Sequence, residues 1–288
     1  MTEVPVLEIG GSHVTAALVD PSSGAVLRTV RGPVPGTAPA TTILTAIAGT
    51  ATRLAAPPAA IWAAAVPGPF DYAEGIGRFR DVGKFDSLDG VDVGAALCRA
   101  IAPGPAAIRF VNDAVAFALG EWAFGAARGH ARAVAITLGT GVGSAFLRDG
   151  RPVTGSPEAP PEGRADLLTI DGRPLEETVS TRAILAAYRA ATGGSPGGTV
   201  AEVTARAMAG DRAARAVVER AATRLGEALA PWLRRFDASV LVVGGGISAA
   251  WQLIAAPLRA AAAPALLLRS TDSETSALRG AALAARVH

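Results

Sequence analysis

The residues best suited to chemistry lie between Phe110 and Gly150. A β-branched and aromatic run, Ile108-Arg109-Phe110-Val111, stops at Asn112-Asp113, and a helix-patterned segment follows to about Gly125. A strand pattern then runs from Ala133 to Leu138, breaks at Gly139-Thr140-Gly141-Val142-Gly143, and resumes to Leu147. A carboxylate at the end of one strand, one helix away from a glycine turn, combines a base with a phosphate cradle. Phosphoryl transfer depends more on such positioning than on covalent chemistry. Asp113 is the candidate general base toward a substrate hydroxyl, with Asn112 orienting the same group. Asn and Asp are also favoured helix N-caps, and one residue can serve both ends.

The glycine turn occurs twice. Leu7-Glu8-Ile9-Gly10-Gly11-Ser12-His13-Val14, continuing to Asp20, overlays without gaps on Ile136-Thr137-Leu138-Gly139-Thr140-Gly141-Val142-Gly143, continuing to Asp149. Both read as strand, glycine turn, strand. Bare backbone at Gly10, Gly11 and Ser12, and at Gly139, Thr140 and Gly141, could hold a polyphosphate through N–H groups. Glu8 would then sit near a Mg²⁺ shell, acting through water. Gly244-Gly245-Gly246 follows an apolar run, and Gly245 and Gly246 would present a flat wall to a nucleotide base and ribose. The triplet is not GxGxxG, so it does not argue for a dinucleotide. Glu162 and Glu176 are carboxylates that could each accept hydroxyls of a polyol, although composition alone reads them as surface acids. His13, His130 and His288 are dispersed and form no metal-binding spacing.

The elements that must position these residues follow from apolar patterning and from Gly and Pro breaks. Strands are expected at Val6 to Ile9, Val14 to Val19, Ala25 to Val30, Ile61 to Val66, Ser239 to Val243 and Ala265 to Arg269. Helices are expected at Thr41 to Leu54, Asp92 to Ile101, Ser180 to Ala191, Val200 to Ala209, Arg212 to Arg235 with a bend at Pro231, and Ser276 to Val287. Ser248 is the expected cap of the helix after the glycine triplet. Pro67-Gly68-Pro69 makes a rigid, exposed corner after one strand.

With 288 residues, 50% hydrophobic and 18% charged, the chain can bury a core and points to two α/β lobes. A formal net charge of +2 from scattered basic residues leaves no nucleic-acid footprint. Cys98 is the only cysteine, which excludes an intrachain disulfide and a thiolate metal cage. No signal peptide or membrane span is read, so a cytoplasmic protein is the expectation.

Together these stretches resemble the ROK family of bacterial sugar kinases, within the actin and hexokinase superfamily. LEIGGSHVTAALVD resembles its first phosphate hairpin and VPGPFD its sugar-loop motif. VNDAVAFALGEWAFGAARG is similar to its catalytic Asn-Asp helix, LGTGVGSAFLRDG to its second phosphate hairpin, and LVVGGGIS to its adenosine loop. The resemblance implies a two-lobed, actin-like or hexokinase-like α/β ATPase fold with duplicated βββαβα-type domains and an interlobe cleft. The small lobe would hold residues 1–112 and the C-terminal helix 276–288, and the large lobe residues 113–275. It implies transfer of the γ-phosphate of ATP, with Mg²⁺, to a hydroxyl of a sugar or sugar-like polyol in a homodimer.

On that resemblance Asp113 is the base, Gly68 and Asn112 lie beside the sugar, and Gly139 to Gly141 meet the phosphates. Lys84 falls where an Asn often helps hold the sugar. Several departures stand out. Glu8 replaces the usual Asp, Glu162 falls on the Glu of a Gly-Glu-x-Gly-His motif whose His is Ala165, and the zinc-loop cysteines are absent. PLEETVSTRAI resembles the stretch after the zinc loop, which makes Glu176 the second sugar-binding Glu. The chain thus resembles a zinc-free branch, with a C7-cyclitol kinase, a polyphosphate glucokinase and a catalytically weak sugar binder as alternatives. A DNA-binding repressor of the family would carry a winged helix before the first hairpin, and that hairpin begins within the first ten residues here.

Overall fold

The computed structural model describes residues 3–193 and 198–286. The chain divides into two compact units, Met1–Gly120 with Glu274–His288, and Glu121–Ser273.

The first unit begins with the strands β1 (Val4–Ile9), β2 (His13–Asp20) and β3 (Ala25–Pro33), paired antiparallel in a meander. Helix α1 (Ala40–Arg53) leads to β4 (Ile61–Val66), a short hairpin of β5 (Phe70–Asp71) and β6 (Ile76–Gly77), and α2 (Val93–Ala100). Strand β7 (Ala107–Asn112) and helix α3 (Asp113–Phe124) follow. The sheet order is β3-β2-β1-β4-β7, with β4 and β7 joined parallel.

Alternation along the strands sorts their side chains onto two faces. Leu7 and Ile9 share one core with Ile43 and Ile47 of α1 and Leu97 of α2. Val6, Ala17, Val19, Ala63 and Ala65 share the other, with Ala116 of α3. Leu278, Ala281 and Ala282 join it from the C-terminal helix described below.

The second unit repeats the plan. Strands β8 (Arg132–Leu138), β9 (Val142–Arg148) and β10 (Arg151–Pro152) form the meander. A small ladder, β11 (Thr169–Ile170) with β12 (Arg173–Pro174), precedes the helices α4 (Glu176–Val179), α5 (Thr181–Thr192), α6 (Val200–Met208) and α7 (Arg212–Arg235). Strand β13 (Val240–Gly244), helix α8 (Trp251–Ala262) and β14 (Leu266–Arg269) complete it. The order β10-β9-β8-β13-β14, antiparallel through β8 and parallel beyond, matches the first sheet strand for strand. Val134, Ile136 and Leu138 pack beneath Leu225, Leu229 and Leu233 of α7 and Leu258 of α8. At Gly226 an added Cβ would lie 2.5 Å from the Ala261 side chain, so glycine lets α7 and α8 approach.

The final helix, α9 (Ser273–Ala284), returns to the first unit. A Cβ on Gly280 would overlap the Ala116 carbonyl, and one on Gly120 would overlap that of Ser276, so α3 and α9 cross backbone to backbone at two glycines. This crossing ties the first two turns of α3 to the first sheet. The division therefore falls after Gly120, whereas the resemblance suggested residue 112. Three local expectations also change. Helix α7 runs unbroken through Pro231 to Arg235. Ser248 is buried inside the 3₁₀ turn Gly246–Ala250 and caps nothing, since Ala250 holds the position before α8. Helix α9 starts at Ser273, three residues before Ser276; Val287 and His288 lie outside the described residues.

Candidate functional site

In the first unit the ladder registers set Arg31, Thr15 and Glu8 side by side on one row of the sheet, followed by Ala65 and Val111. The row lies on the face covered by α3 and α9, because Ala65 belongs to that core and Val111 packs against it. Those helices bring Asp113 and Glu274 in their first turns. Thr15 Oγ1 donates to Glu274 Oε1 at 2.5 Å, and Arg31 reaches Glu274 Oε2 at 3.2 Å.

Among the described residues the buried Glu8 Oε2 has no hydrogen-bond partner. Burial, then the charges of Glu274 and Asp113, push the Glu8 carboxyl up to about 7, with Arg31 opposing weakly. His13 Nε2 stands 3.8 Å from Glu8 Oε2, too far for a hydrogen bond. Burial and then Arg31 hold His13 below its usual range, so the contact is not a full ion pair at neutral pH. Ligand atoms of Glu8, His13 and Glu274 lie within 4.8 Å of one another.

Where β7 gives way to α3, Asn112 Oδ1 accepts from the N–H groups of Ala114 (3.0 Å) and Val115 (3.2 Å) and is the helix cap. Asp113 is therefore not the cap. It is half-buried in the first turn, with Oδ1 accepting from Ala114 N–H at 2.8 Å. The Asn112 amide donates to the Tyr72 hydroxyl at 2.9 Å, and that hydroxyl donates to the Val66 carbonyl at 3.3 Å. A Cβ on Gly68 would come within 3.3 Å of the same hydroxyl. Gly68, Tyr72 and Asn112 thus form one polar cluster at the ends of β4 and β7.

The tip of the first hairpin is closed by Gly10 N–H donating to the His13 carbonyl at 2.8 Å. The N–H groups of Gly11 and Ser12 make no backbone hydrogen bond among the described residues. Lys84 lies over this tip: a Cβ on Gly11 would meet Lys84 Cδ at 3.0 Å and Nζ at 3.7 Å.

In the second unit Gly139 N–H donates to the Gly141 carbonyl at 3.0 Å, and Thr181 bonds the Gly139 carbonyl through its N–H and its hydroxyl, both at 2.9 Å. Thr140 is exposed. Glu176, half-buried at the start of α4, rests on Gly141, where a Cβ would lie 2.7 Å from Oε1. Gly245 takes φ +81°, and its missing Cβ clears the backbone of Leu138, while nothing stands within 4 Å of the Cβ direction of Gly246. Glu162 is 71% exposed, in a left-handed conformation, with Arg164 at 3.5 Å. Ala165 is fully buried and its N–H donates to Ser144 Oγ at 2.7 Å.

Sequence reading joined Glu8 to Gly10 through Ser12 and, by resemblance, Gly68 to Asn112; it paired Glu176 with Glu162, whereas the structure rests Glu176 on Gly141 and leaves Glu162 on an exposed turn. It missed Tyr72, whose place in the VPGPFDY corner was a usable signal, and Thr15, Arg31 and Glu274, which no local pattern marks. Among the described residues no helix is long and apolar enough to cross a membrane.

The sequence profile of the ROK family matches residues 5–284. The chain belongs to the ROK family. A glucokinase of Thermotoga maritima is 31% identical over 215 residues, which are 67% of this chain and 66% of that protein. Across the curated relatives matched, this ROK chain spans 66%, 28% and 46% of their own lengths. The crystal structure of a ROK hexokinase from Thermus thermophilus is 25% identical, with a TM-score of 0.79 over 99% of this chain and 98% of that one. A ROK family glucokinase from Streptomyces griseus, in complex with glucose and AMPPNP, shares the fold at 22% identity, with a TM-score of 0.74 over 100% of both chains.

Proposed function

We propose that this ROK protein is a sugar kinase, transferring the γ-phosphate of ATP to a hydroxyl of a sugar or sugar-like polyol. The observation that carries this reading is the Asn112-Asp113 pair. Asn112 caps α3 and donates its amide to Tyr72 of the Gly68 cluster, and Asp113 follows it in the chain, half-buried in the first turn as an acid adjoining that polar cluster. In this reading the Asp113 carboxylate takes the acceptor proton, and the Gly68 corner and Asn112 orient the ring. The names of the Thermotoga, Thermus and Streptomyces relatives support a sugar as acceptor and a nucleotide as donor.

The residues fit the phosphate donor and its cation. The N–H groups of Gly11 and Ser12, without a backbone partner among the described residues, suit phosphate oxygens, and open backbone at Gly246 suits the nucleoside. The orphaned Glu8 Oε2 suits a water of a hydrated Mg²⁺, whereas Glu274 is already taken by Thr15 and Arg31. Bound Mg²⁺ would supply neutralisation of phosphate charge. Glu8 serves that purpose only when ionised, which its carboxyl reaches above about pH 7.

The test is ADP release from Mg-ATP with hexoses, amino sugars and cyclitols, and sugar-phosphate formation from polyphosphate. Asp113→Asn is expected to lower kcat by roughly 10²–10⁴-fold while the protein still melts cooperatively. Absence of acceptor-dependent product across the panel, or an Asp113→Asn protein as active as wild type, refutes the reading.

A further inference from the structure

We infer that Lys84 is a phosphate-binding group of the first glycine hairpin, and not a ligand of the acceptor. The inference rests on the kinase reading for the identity of the phosphate, but its physical basis lies in the loop that carries Lys84. That loop is locked in place. Asp86 caps it from within, accepting from Val82 N–H and Gly83 N–H at 3.0 Å each. Phe85, next to Lys84, is buried, adopts φ +62°, packs on Phe79 at 5.4 Å, and donates its N–H to the Gly36 carbonyl at 2.6 Å.

Gly36 in turn presses on the hairpin, because a Cβ there would lie 2.5 Å from the Gly11 carbonyl. With Phe85 fixed and the Gly11 carbonyl turned to Gly36, the trans peptide directs Ser12 N–H to the opposite side. The Lys84 stem runs along the side-chain-free surface of Gly11, and its ammonium enters none of the hydrogen bonds or ion pairs among the described residues. A rigid loop has thus carried an uncommitted cation to a turn with two uncommitted N–H groups. That combination recognises a multiply charged oxyanion, through charge from the lysine and direction from the backbone. The second hairpin makes the contrast: its Gly141 is covered by the Glu176 carboxylate, which repels an anion on that side. Acceptor hydroxyls are neutral and gain little from an ammonium, so the first tip is the seat of the phosphate being transferred.

The test uses Lys84→Met, Lys84→Arg and Gly11→Ala in the full chain, with sodium tripolyphosphate as the calorimetric probe and Mg-ATP as donor. Lys84→Met is expected to weaken tripolyphosphate and raise the donor KM by about 10–100-fold, with the acceptor KM unchanged, while Lys84→Arg stays within a few-fold of wild type. Gly11→Ala, by pushing the Lys84 stem aside, should reproduce the loss, and the double variant should be no worse than either single one. An unchanged tripolyphosphate affinity in Lys84→Met, no binding of that probe by wild type, or a change confined to the acceptor KM overturns the inference. The binding measurement stands without turnover. A wild type that binds tripolyphosphate but phosphorylates nothing defeats the kinase reading and leaves the Lys84 assignment intact.

Discussion

The two glycine hairpins share a sequence pattern and a place in their sheets, yet they differ at each point where chemistry would occur. Four residues, Gly10 to His13, separate the last paired residues Ile9 and Val14, whereas three, Gly139 to Gly141, separate Leu138 and Val142. The gapless overlay equates Val14 with Gly143; the ladders equate it with Val142. A one-residue slip in a strand moves every side chain to the other face. Thr15 therefore stands opposite Glu8 and meets Glu274, while Ser144, its partner in the overlay, stands opposite Ile136 and meets the loop at Gly163 and Ala165. The tips also carry opposite charges, Lys84 on Gly11 and Glu176 on Gly141. Duplication preserved the strands, whose demand is only alternating apolar residues, and left the turns free to specialise.

The comparison breaks most sharply at the glycine after the central parallel strand of each unit. Gly245 has φ +81° and no room for a Cβ against the Leu138 backbone. Gly245→Ala adds left-handed strain of about 1–2 kcal/mol to that overlap, for a total of roughly 3 kcal/mol or more. In calorimetry this is a melting temperature lower by roughly 6–12 °C. Gly68 faces only the Tyr72 hydroxyl at 3.3 Å, so Gly68→Ala should cost less than about 1 kcal/mol of stability. Equal losses at the two positions would mean that the close approach at Gly245 is absent in solution.

Next in size is the pH dependence that Glu8 gives the first hairpin, since Thr137 stands in its place in the second. The folded Glu8 carboxyl titrates at about 7, above its ordinary 4.5, so the folded chain holds that proton more tightly. Stability is then undiminished below the ordinary value, declines as pH rises through the interval to about 7, and levels off above it. At 1.36 kcal/mol per unit the decline is about 3 kcal/mol. His13, held low, pulls the other way as pH falls through its own range. Glu8→Gln isolates the carboxyl: melts should coincide with wild type near pH 4.5 and show the variant more stable at pH 8. Parallel curves across that range would remove Glu8 as a buried, proton-holding group.

How far such features could be read in advance depends on their range along the chain. Ile61–Val66 and Arg212–Arg235 match their expected bounds, because Pro57-Pro58, Pro67 and the Asp211 cap mark the ends locally. The Asn112-Asp113 junction was visible for the same reason, as a β-branched run meeting a cap residue. The hairpin register was not, since four-residue and three-residue closures differ only in which carbonyl receives one N–H at the tip. Ser248 looked like a cap because its residue type suits one, but the 3₁₀ turn from Gly246 draws it into the interior. Glu274 lies 259 residues from Thr15, and no periodicity reports a contact at that range. Lys84 was visible only as a departure from a family pattern; its position over Gly11 arises from a buried Phe85 and a glycine contact at Gly36.

The slip itself can be tested through the two hydroxyls that the overlay equates. Ser144 is buried, donates to the Gly163 carbonyl at 2.9 Å and accepts from Ala165 N–H at 2.7 Å, so Ser144→Ala strands two buried backbone groups. A loss of about 2 kcal/mol follows, independent of pH. Thr15→Val keeps the volume and the strand preference, and Glu274 retains Arg31, so roughly 1 kcal/mol should be lost. Thr15→Val should also alter the slope with pH, because Glu274 freed from Thr15 changes the field that holds the Glu8 proton. Ser144→Ala has no carboxylate to disturb and should leave that slope alone. If the two substitutions shifted the pH profile alike, the hydroxyls would be equivalent after all, and the two hairpins would have to share one register.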